Sequence, residues 1–267
     1  MKTNSIGIFD SGLGGLTAMR HIRTVLPHEN ILYFGDTARL PYGNKSPDTI
    51  IGYCMENVAF LLEQQIKVLV VACHTACTAA LDILREQFDI PIIGIMEQGI
   101  DEVILTTQTQ KIAIAGTRTT IDSGVYQKRI RQRLPSVDIH AIACPLFVPL
   151  VEEGYSDHPI ASLIINEYLR SLKDSSIDTL LLGCTHYPLL LPLIGKELGS
   201  SIALIDPACR CAQTVFQLLT TLDLLNPQSN DGHCAFFVSD DPTKFQHLGK
   251  TFLNYPIVDI SCVQTKV

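Results

Sequence analysis

Short apolar runs alternate along the chain with longer segments whose apolar residues recur at helical spacing. Segment 47–65, PDTIIGYCMENVAFLLEQQ, is typical of such a helix. Eight runs rich in β-branched residues or leucine are predicted as strands: SIGIFD (5–10), ILYFGD (31–36), KVLVVAC (67–73), PIIGIM (91–96), KIAIAGT (111–117), DIHAIAC (138–144), DTLLLGC (178–184) and SIALIDP (201–207). Nearly continuous apolar strands separated by helices predict an α/β fold with mostly parallel sheets.

The strands also form an internal repeat. IKVLVVACHT (66–75) aligns without gaps on IDTLLLGCTH (177–186), and this alignment places Cys73 opposite Cys184. Two further pairs of runs match at a similar offset, IGIFDSG (6–12) with IAIAGTR (112–118) and PIIGI (91–95) with IALID (202–206).

The repeat predicts two similar α/β halves. We place the first half at residues 1–97 and the second at 98–208, and we expect segment 209–267 to return to the first half. Ligands of open α/β sheets bind beyond the carboxyl ends of the strands. Two halves that face each other would therefore present Cys73 and Cys184 from opposite sides of one cleft.

Two thiols across a cleft can invert a stereocentre, because one can act as base while the other acts as acid. A single cysteine at the end of a strand is more often a small buried apolar residue. The matched placement of Cys73 and Cys184, each beside a hydroxyl and an imidazole, favours the acid–base interpretation.

Composition narrows the class of protein. With 46% hydrophobic and 18% charged residues in 267, the chain is predicted to be globular. The net charge of −7 gives no support to a nucleic-acid partner. No apolar run is long enough to span a membrane, and the first residues lack the apolar region of a signal peptide, so we expect a cytoplasmic protein.

The nine cysteines are expected to be reduced thiols. The pair in CRC (209–211) has no second pair at ligand spacing, so we predict no metal site. The turn after the first strand contains GLGG (12–15), which lacks the third glycine of a dinucleotide-binding fingerprint at the required spacing.

Five motifs give the chain a family resemblance: GIFDSGLGGLT (7–17), YFGDTARLPYG (33–43), ACHTACTAAL (72–81), CPLFVPLVEEG (144–154) and LLGCTHYPLL (181–190). They resemble the glutamate racemases of the cofactor-independent aspartate/glutamate racemase superfamily. The resemblance implies interconversion of L-glutamate and D-glutamate, with D-glutamate supplying bacterial peptidoglycan synthesis. It implies no cofactor, glutamate as the small-molecule partner and a homodimer.

The resemblance also assigns catalytic roles. Cys73 would remove the α-proton from D-glutamate and Cys184 from L-glutamate. Asp10 would assist proton transfer at Cys73, His186 would support the thiol of Cys184, and Glu152 would orient His186. Taken alone, an acid at the place of Asp10 is more often a turn or helix-capping residue, and a histidine at the place of His186 is more often simply hydrogen-bonded structure.

Substrate contacts are implied by the same resemblance or by the residues' chemistry. Short hydroxyls, backbone N–H groups and the polar side chains around the two thiols are suited to hold carboxylates. Threonines at strand ends are otherwise ordinary caps. The predicted contacts are Asp10, Ser11, Pro41, Tyr42, Gly43, His74, Thr75, Thr117, Thr119, Thr185 and His186.

His74 departs from the family, whose first cysteine motif reads Cys-Asn-Thr. An amide both donates and accepts hydrogen bonds, whereas an imidazole is bulkier and can carry charge. We therefore expect weaker glutamate binding or slower turnover than asparagine would give. Two alternatives stay open: a racemase of another amino acid such as aspartate, and a binding or regulatory protein without catalytic activity.

Overall fold

The computed structural model describes residues 1–173 and 175–264. These residues contain ten strands, separated by helices in nearly every connection. The strands are β1 (Ile6–Asp10), β2 (Ile31–Gly35), β3 (Val68–Val71), β4 (Ile92–Gly94), β5 (Lys111–Gly116), β6 (Asp138–Ala143), β7 (Thr179–Gly183), β8 (Ala203–Ile205), β9 (Cys234–Val238) and β10 (Ile260–Cys262).

The strands form two sheets whose neighbours all run parallel. The larger sheet has the order β10-β9-β2-β1-β3-β4 and the smaller one β6-β5-β7-β8. The order β2-β1-β3-β4 therefore recurs as β6-β5-β7-β8, in agreement with the internal repeat. The predicted α/β fold with two similar parallel-sheet halves is confirmed.

The helices cover both sheets. The segment predicted as a helix over 47–65 is helical from Pro47 to Glu63, and Ser46 caps it by accepting a hydrogen bond from the N–H of Thr49 at 3.3 Å. The helices are α1 (Leu16–Val25), α2 (Pro47–Glu63), α3 (His74–Gln87), α4 (Ile95–Thr106), α5 (Arg118–Asp122), α6 (Val125–Arg133), α7 (Phe147–Glu152), α8 (Pro159–Lys173), α9 (Leu191–Leu198), α10 (Ala208–Thr221) and α11 (Pro242–Leu253).

The C-terminal strands extend the larger sheet. β9 pairs with β2, with Tyr33 opposite Phe236, and β10 pairs with β9. The rings of Tyr33, Phe236 and Phe245 pack at centroid distances of 5.9 to 6.4 Å. The domain boundaries at 97/98 and 208/209 stay a prediction, and residues 265–267 of the last segment lie outside the described residues.

The central strands of each sheet are buried along their length. All five residues of β1 and all five of β7 are inaccessible to solvent or nearly so. Burial of each leucine or isoleucine stabilises the fold by about 1.5–3 kcal/mol. These strands are therefore held firmly in the core, and they fix the positions of the residues that follow them. In the described part of the chain, no helix combines the length and the apolarity needed to cross a membrane.

Candidate active site

The first predicted thiol lies where two central strands of the larger sheet end. Phe9 is paired with Val71, and the N–H of Ala72 donates to the carbonyl of Phe9 at 2.9 Å. This register places Ser11, after β1, beside Cys73, after β3. The thiol of Cys73 lies 3.6 Å from the hydroxyl of Ser11.

The second thiol occupies the equivalent place in the smaller sheet. Gly116 of β5 is paired with Gly183 of β7. Thr117 and Cys184 are the next residues on the two strands, so the register brings them to the same edge.

The two edges enclose one cavity of about 30 Å³. Cys73 and Cys184 both line it, and they are 5% and 7% exposed. Most of the predicted substrate contacts lie there too. The other lining residues are Ser11, Leu40, Pro41, Tyr42, Gly43, His74, Thr75, Thr117, Val148, Thr185 and His186.

The lining differs from the sequence prediction at a few positions. Of the predicted substrate contacts, Asp10 and Thr119 do not line the cavity, whereas Leu40 and Val148 line it and were not predicted. Glu152, predicted to orient His186 rather than to contact substrate, is not a lining residue either. Leu40 and Val148, together with Pro41, Gly43 and Thr117, also border an adjoining outer pocket of about 350 Å³. The small cavity therefore lies directly beneath a larger opening.

Cys73 is the N-cap of α3. Its sulfur accepts a hydrogen bond from the N–H of Ala76 at 3.4 Å. Burial raises the pKa of the Cys73 thiol to about 12, and the negative charge of Asp10 adds to the increase. Cys73 is therefore a protonated thiol in the free protein.

Cys184 lies against a histidine–carboxylate pair. Its sulfur is 3.8 Å from Nδ1 of His186, and Nε2 of the same ring is 3.0 Å from Oε1 of Glu152. Burial lowers the pKa of His186, but the hydrogen bonds and charges of Cys184 and Glu152 outweigh it and raise the pKa to about 10. The ring also packs edge-on against Phe252, with centroids 5.3 Å apart.

Asp10 lies behind the cavity and joins the two halves. Its Oδ1 accepts a hydrogen bond from the N–H of Gly12 at 2.9 Å, and its Oδ2 accepts one from the hydroxyl of Thr185 at 3.4 Å. Burial raises the pKa of Asp10, against the opposing charge of His186. Among the described residues Asp10 makes no hydrogen bond to Cys73, and it acts on that thiol through its charge.

Two glycines allow the halves to approach each other closely. A Cβ atom on Gly14 would lie 2.1 Å from Oγ1 of Thr185 and 2.6 Å from Nδ1 of His186. A Cβ atom on Gly43 would lie 2.6 Å from Cβ of Thr117. Any larger residue at either position would push the opposing wall of the cavity away.

Threonine hydroxyls form a cluster at one end of the cavity. Oγ1 of Thr75 lies 3.0 Å from Oγ1 of Thr117 and 3.1 Å from that of Thr120. Thr119 donates to the carbonyl of Lys45 at 3.3 Å, and its contact with substrate stays a prediction. Thr120, the next residue on α5, was not predicted; it is fully buried and does not line the cavity.

A buried carboxylate fixes the loop that brings Tyr42 and Gly43 to the cavity. Asp36 accepts hydrogen bonds from Nε of Arg39 at 2.7 and 2.9 Å, from the hydroxyl of Ser239 at 2.9 Å and from the hydroxyl of Tyr42. Burial, together with the charge of Asp36, raises the pKa of Tyr42, so its hydroxyl stays a donor. Asp36 was not predicted, although it stands within the GDTARLPYG motif.

His74, where the resemblance led us to expect asparagine, is buried and neutral. Its Nδ1 lies 2.5 Å from the hydroxyl of Tyr126 on α6, and burial lowers the pKa of the ring to about 3. The imidazole therefore carries no charge at neutral pH. Tyr126 was not predicted as part of the site.

Comparison with known proteins agrees with this architecture. The family model for Asp/Glu/hydantoin racemases matches residues 18–214. A glutamate racemase from Geobacter metallireducens is 44% identical over 260 residues, covering 97% of this chain and 96% of that protein. One from Neisseria meningitidis is 44% identical over 263 residues, covering 98% of this chain and 97% of its own.

Comparison with solved structures points to the same family. The crystal structure of glutamate racemase from Francisella tularensis in complex with D-glutamate superimposes with a TM-score of 0.94, at 36% identity and with 99% of each chain covered. The resemblance found in the five motifs is thus confirmed. The chain belongs to the Asp/Glu/hydantoin racemase family, in which it resembles the glutamate racemases.

Proposed function

We propose that this protein interconverts L-glutamate and D-glutamate with Cys73 and Cys184 as an acid–base pair on opposite faces of the α-carbon. The observation that carries the proposal is the placement of the two thiols at equivalent strand ends, on one cavity. The names of the relatives and the bound D-glutamate of the Francisella tularensis structure support glutamate as substrate.

From L-glutamate, the thiolate of Cys184 takes the α-proton and becomes a thiol. The thiol of Cys73 then gives its proton to the opposite face of the carbanion and becomes a thiolate. This direction fits the free protein, in which Cys73 holds its proton and His186 offers the Cys184 sulfur a cationic donor. The two cysteines end in the protonation states that the reverse reaction needs.

In the reverse direction the thiolate of Cys73 is the base, and Asp10 supports it. A negative Asp10 disfavours a second negative charge at Cys73. Because burial raises the pKa of Asp10, its carboxyl can hold a proton while Cys73 is a thiolate. If the proton that leaves the Cys73 thiol passes to Asp10, the thiolate forms and the repulsion is removed in the same step.

The hydroxyls around the cavity stabilise the reacting amino acid. Thr75, Thr117 and Thr185 carry short neutral hydroxyls that can bind the α-carboxylate when they turn their protons toward it, Thr117 away from Thr120 and Thr185 away from Asp10. Electron density moves into this carboxylate as the α-proton leaves, so donors fixed against it stabilise the transition state. Ser11, Tyr42 and Gly43 complete the polar wall of the site in this proposal.

The proposal includes neither a metal nor an organic cofactor, because two thiols supply both proton transfers. D-Glutamate made in this way would enter peptidoglycan synthesis, and we expect the enzyme to act in the cytoplasm as a homodimer. The use in peptidoglycan synthesis, the cytoplasmic location and the homodimer are inferred from the family resemblance.

The test is incubation of the purified protein with L-glutamate in D₂O. Circular dichroism should decay to zero while deuterium enters the α-position, which is detected by proton NMR. Aspartate incubated in parallel should keep its optical activity. Exchange and loss of optical activity with aspartate alone would instead favour an aspartate racemase, and neither with any amino acid would favour a binding protein.

A further inference from the structure

His74 and Tyr126 form a hydrogen-bonded pair between a helix of each half. His74 is the first residue of α3, directly after Cys73, and Tyr126 lies on α6. Nδ1 of His74 is 2.5 Å from the tyrosine hydroxyl, and the two rings are nearly parallel, with an interplanar angle of 26°. His74 is 2% exposed and Tyr126 is fully buried.

Counting protons assigns the direction of this hydrogen bond. Within residues 1–173 and 175–264, the Tyr126 hydroxyl has one hydrogen-bond partner, Nδ1 of His74. If Nδ1 carried a proton and donated it, the buried tyrosine proton would have no acceptor, at a cost of about 1–3 kcal/mol. The hydroxyl therefore donates to an unprotonated Nδ1.

The other ring nitrogen then carries the proton. Because burial keeps the ring neutral, its single proton lies on Nε2 once Nδ1 acts as acceptor. Nε2 makes no hydrogen bond to the described residues, and His74 is part of the wall that holds both thiols. Nε2–H is thus the group that this side chain has available for a ligand in the cavity.

We propose that Tyr126 fixes the tautomer of His74, so that His74 presents a neutral Nε2–H donor to a carboxylate of the amino-acid substrate. This inference rests on the proposed function for the identity of the substrate. An asparagine amide could turn either face to the cavity, to donate to a carboxylate or to accept from an ammonium. The fixed imidazole can only donate, so it selects a carboxylate.

Tyr126 is accordingly a positioning residue, and His74 is part of the binding site rather than a defect in it. The sequence-based expectation gave asparagine at position 74 the advantage. From the hydrogen bond to Tyr126 we expect the opposite, because replacing the ring by a shorter amide removes the acceptor that the buried hydroxyl needs.

The first test is NMR of the ¹⁵N-histidine-labelled protein, in which two-bond correlations distinguish protonated from unprotonated ring nitrogens. The chain has eight histidines, and the His74→Asn variant identifies the signal of His74. Near neutral pH we expect His74 as the Nε2–H tautomer, with a downfield shift of this proton on addition of glutamate. An Nδ1–H tautomer or an imidazolium would overturn the proposal.

The second test is a double-mutant cycle. Tyr126→Phe removes only the hydroxyl, and we expect a KM for glutamate about tenfold higher with kcat changed less than about twofold. His74→Asn should lower kcat/KM, and Tyr126→Phe should add less than about a twofold effect in that background. Tyr168→Phe, which removes a hydroxyl from α8 outside the cavity lining, is the matched control.

Additive effects of the two substitutions would reduce Tyr126 to a structural role and overturn the proposal. A rise in kcat/KM with His74→Asn would overturn it too, and would restore the sequence-based expectation. Failure of the proposed racemase function can be distinguished from failure of the proposal on His74, because the tautomer of His74 in the wild-type protein is measured without turnover. If the protein racemises nothing, the glutamate titration still shows whether a carboxylate meets the Nε2–H group.

Discussion

The contact between Glu152 and His186 predicts the effect of removing a single charge. Oε1 of Glu152 lies 3.0 Å from Nε2 of His186, with the two side chains 15% and 4% exposed. Glu152→Gln preserves the shape of the side chain and removes its charge. A hydrogen bond to a charged group contributes about 1.5–3 kcal/mol, so we expect kcat/KM to fall roughly 10- to 150-fold.

The same substitution should change the pH dependence. Cys184 and Glu152 together raise the pKa of His186 to about 10 against the effect of burial, and the ring is protonated below that value. Without Glu152 the pKa falls, so the imidazolium is lost at lower pH. The alkaline limb of the kcat/KM profile should therefore move to lower pH. The stability that this raised pKa contributes is complete below 6.5 and is lost as pH rises through about 10.

The assay is circular dichroism in both directions with α-deuterated and unlabelled substrates. Because L- and D-glutamate have equal free energy, kcat/KM must fall by the same factor from either side. The asymmetry should lie in the isotope effect, which should increase more for L-glutamate, whose proton goes to Cys184 in the proposed mechanism. Glu153→Gln changes an exposed neighbour and should alter kcat/KM less than about twofold. Full activity with an unmoved alkaline limb in Glu152→Gln would refute the role of this pair.

Three other outcomes follow from the structure. Cys73→Ser and Cys184→Ser should each abolish racemisation, measured by circular dichroism, and near-normal turnover of either variant would contradict the two-base mechanism. Lys67→Met should lower the free energy of unfolding by about 3–5 kcal/mol in urea titrations, because it leaves the buried carboxylate of Glu29 unpaired; a loss below about 1 kcal/mol would contradict this. Dialysis against a chelator should leave turnover unchanged, whereas activity that returns only with added metal or pyridoxal phosphate would contradict a cofactor-independent reaction.

The strand pattern and the repeat predicted the framework because buried parallel strands have a strong apolar signal. All eight predicted runs contain strands of the two sheets. The gap-free alignment of Cys73 with Cys184 corresponds to β3 and β7, which occupy the same place in the repeated strand order. β9 and β10 were not among the predicted runs. β10 gives little signal because it has three residues, lies at the edge of its sheet and is mostly exposed.

Contacts between distant side chains were harder to predict. Tyr126 meets His74 across 52 positions of sequence, and helical spacing shows only that Tyr126 faces a core. Thr119 and Thr120 differ by about 100° around α5, so a shift of one residue exchanges a hydroxyl that bonds to the cavity-lining Thr75 for one that donates to Lys45. Local patterns identify which faces are buried, but the partner on a buried face depends on how two elements pack.

The close approach of the halves has a consequence for substrate entry. The cavity of about 30 Å³ has room for only a few water molecules, and glutamate has ten non-hydrogen atoms. The wall of the cavity includes Gly43, which lies against Thr117. Gly14 stands behind the wall and lies against two lining residues, Thr185 and His186. These contacts cross between the halves, so separation of the walls at these contacts would enlarge the cavity for glutamate. Glycine at both positions then lets the walls close again until both thiols face the α-carbon, which a Cβ atom at either position would prevent.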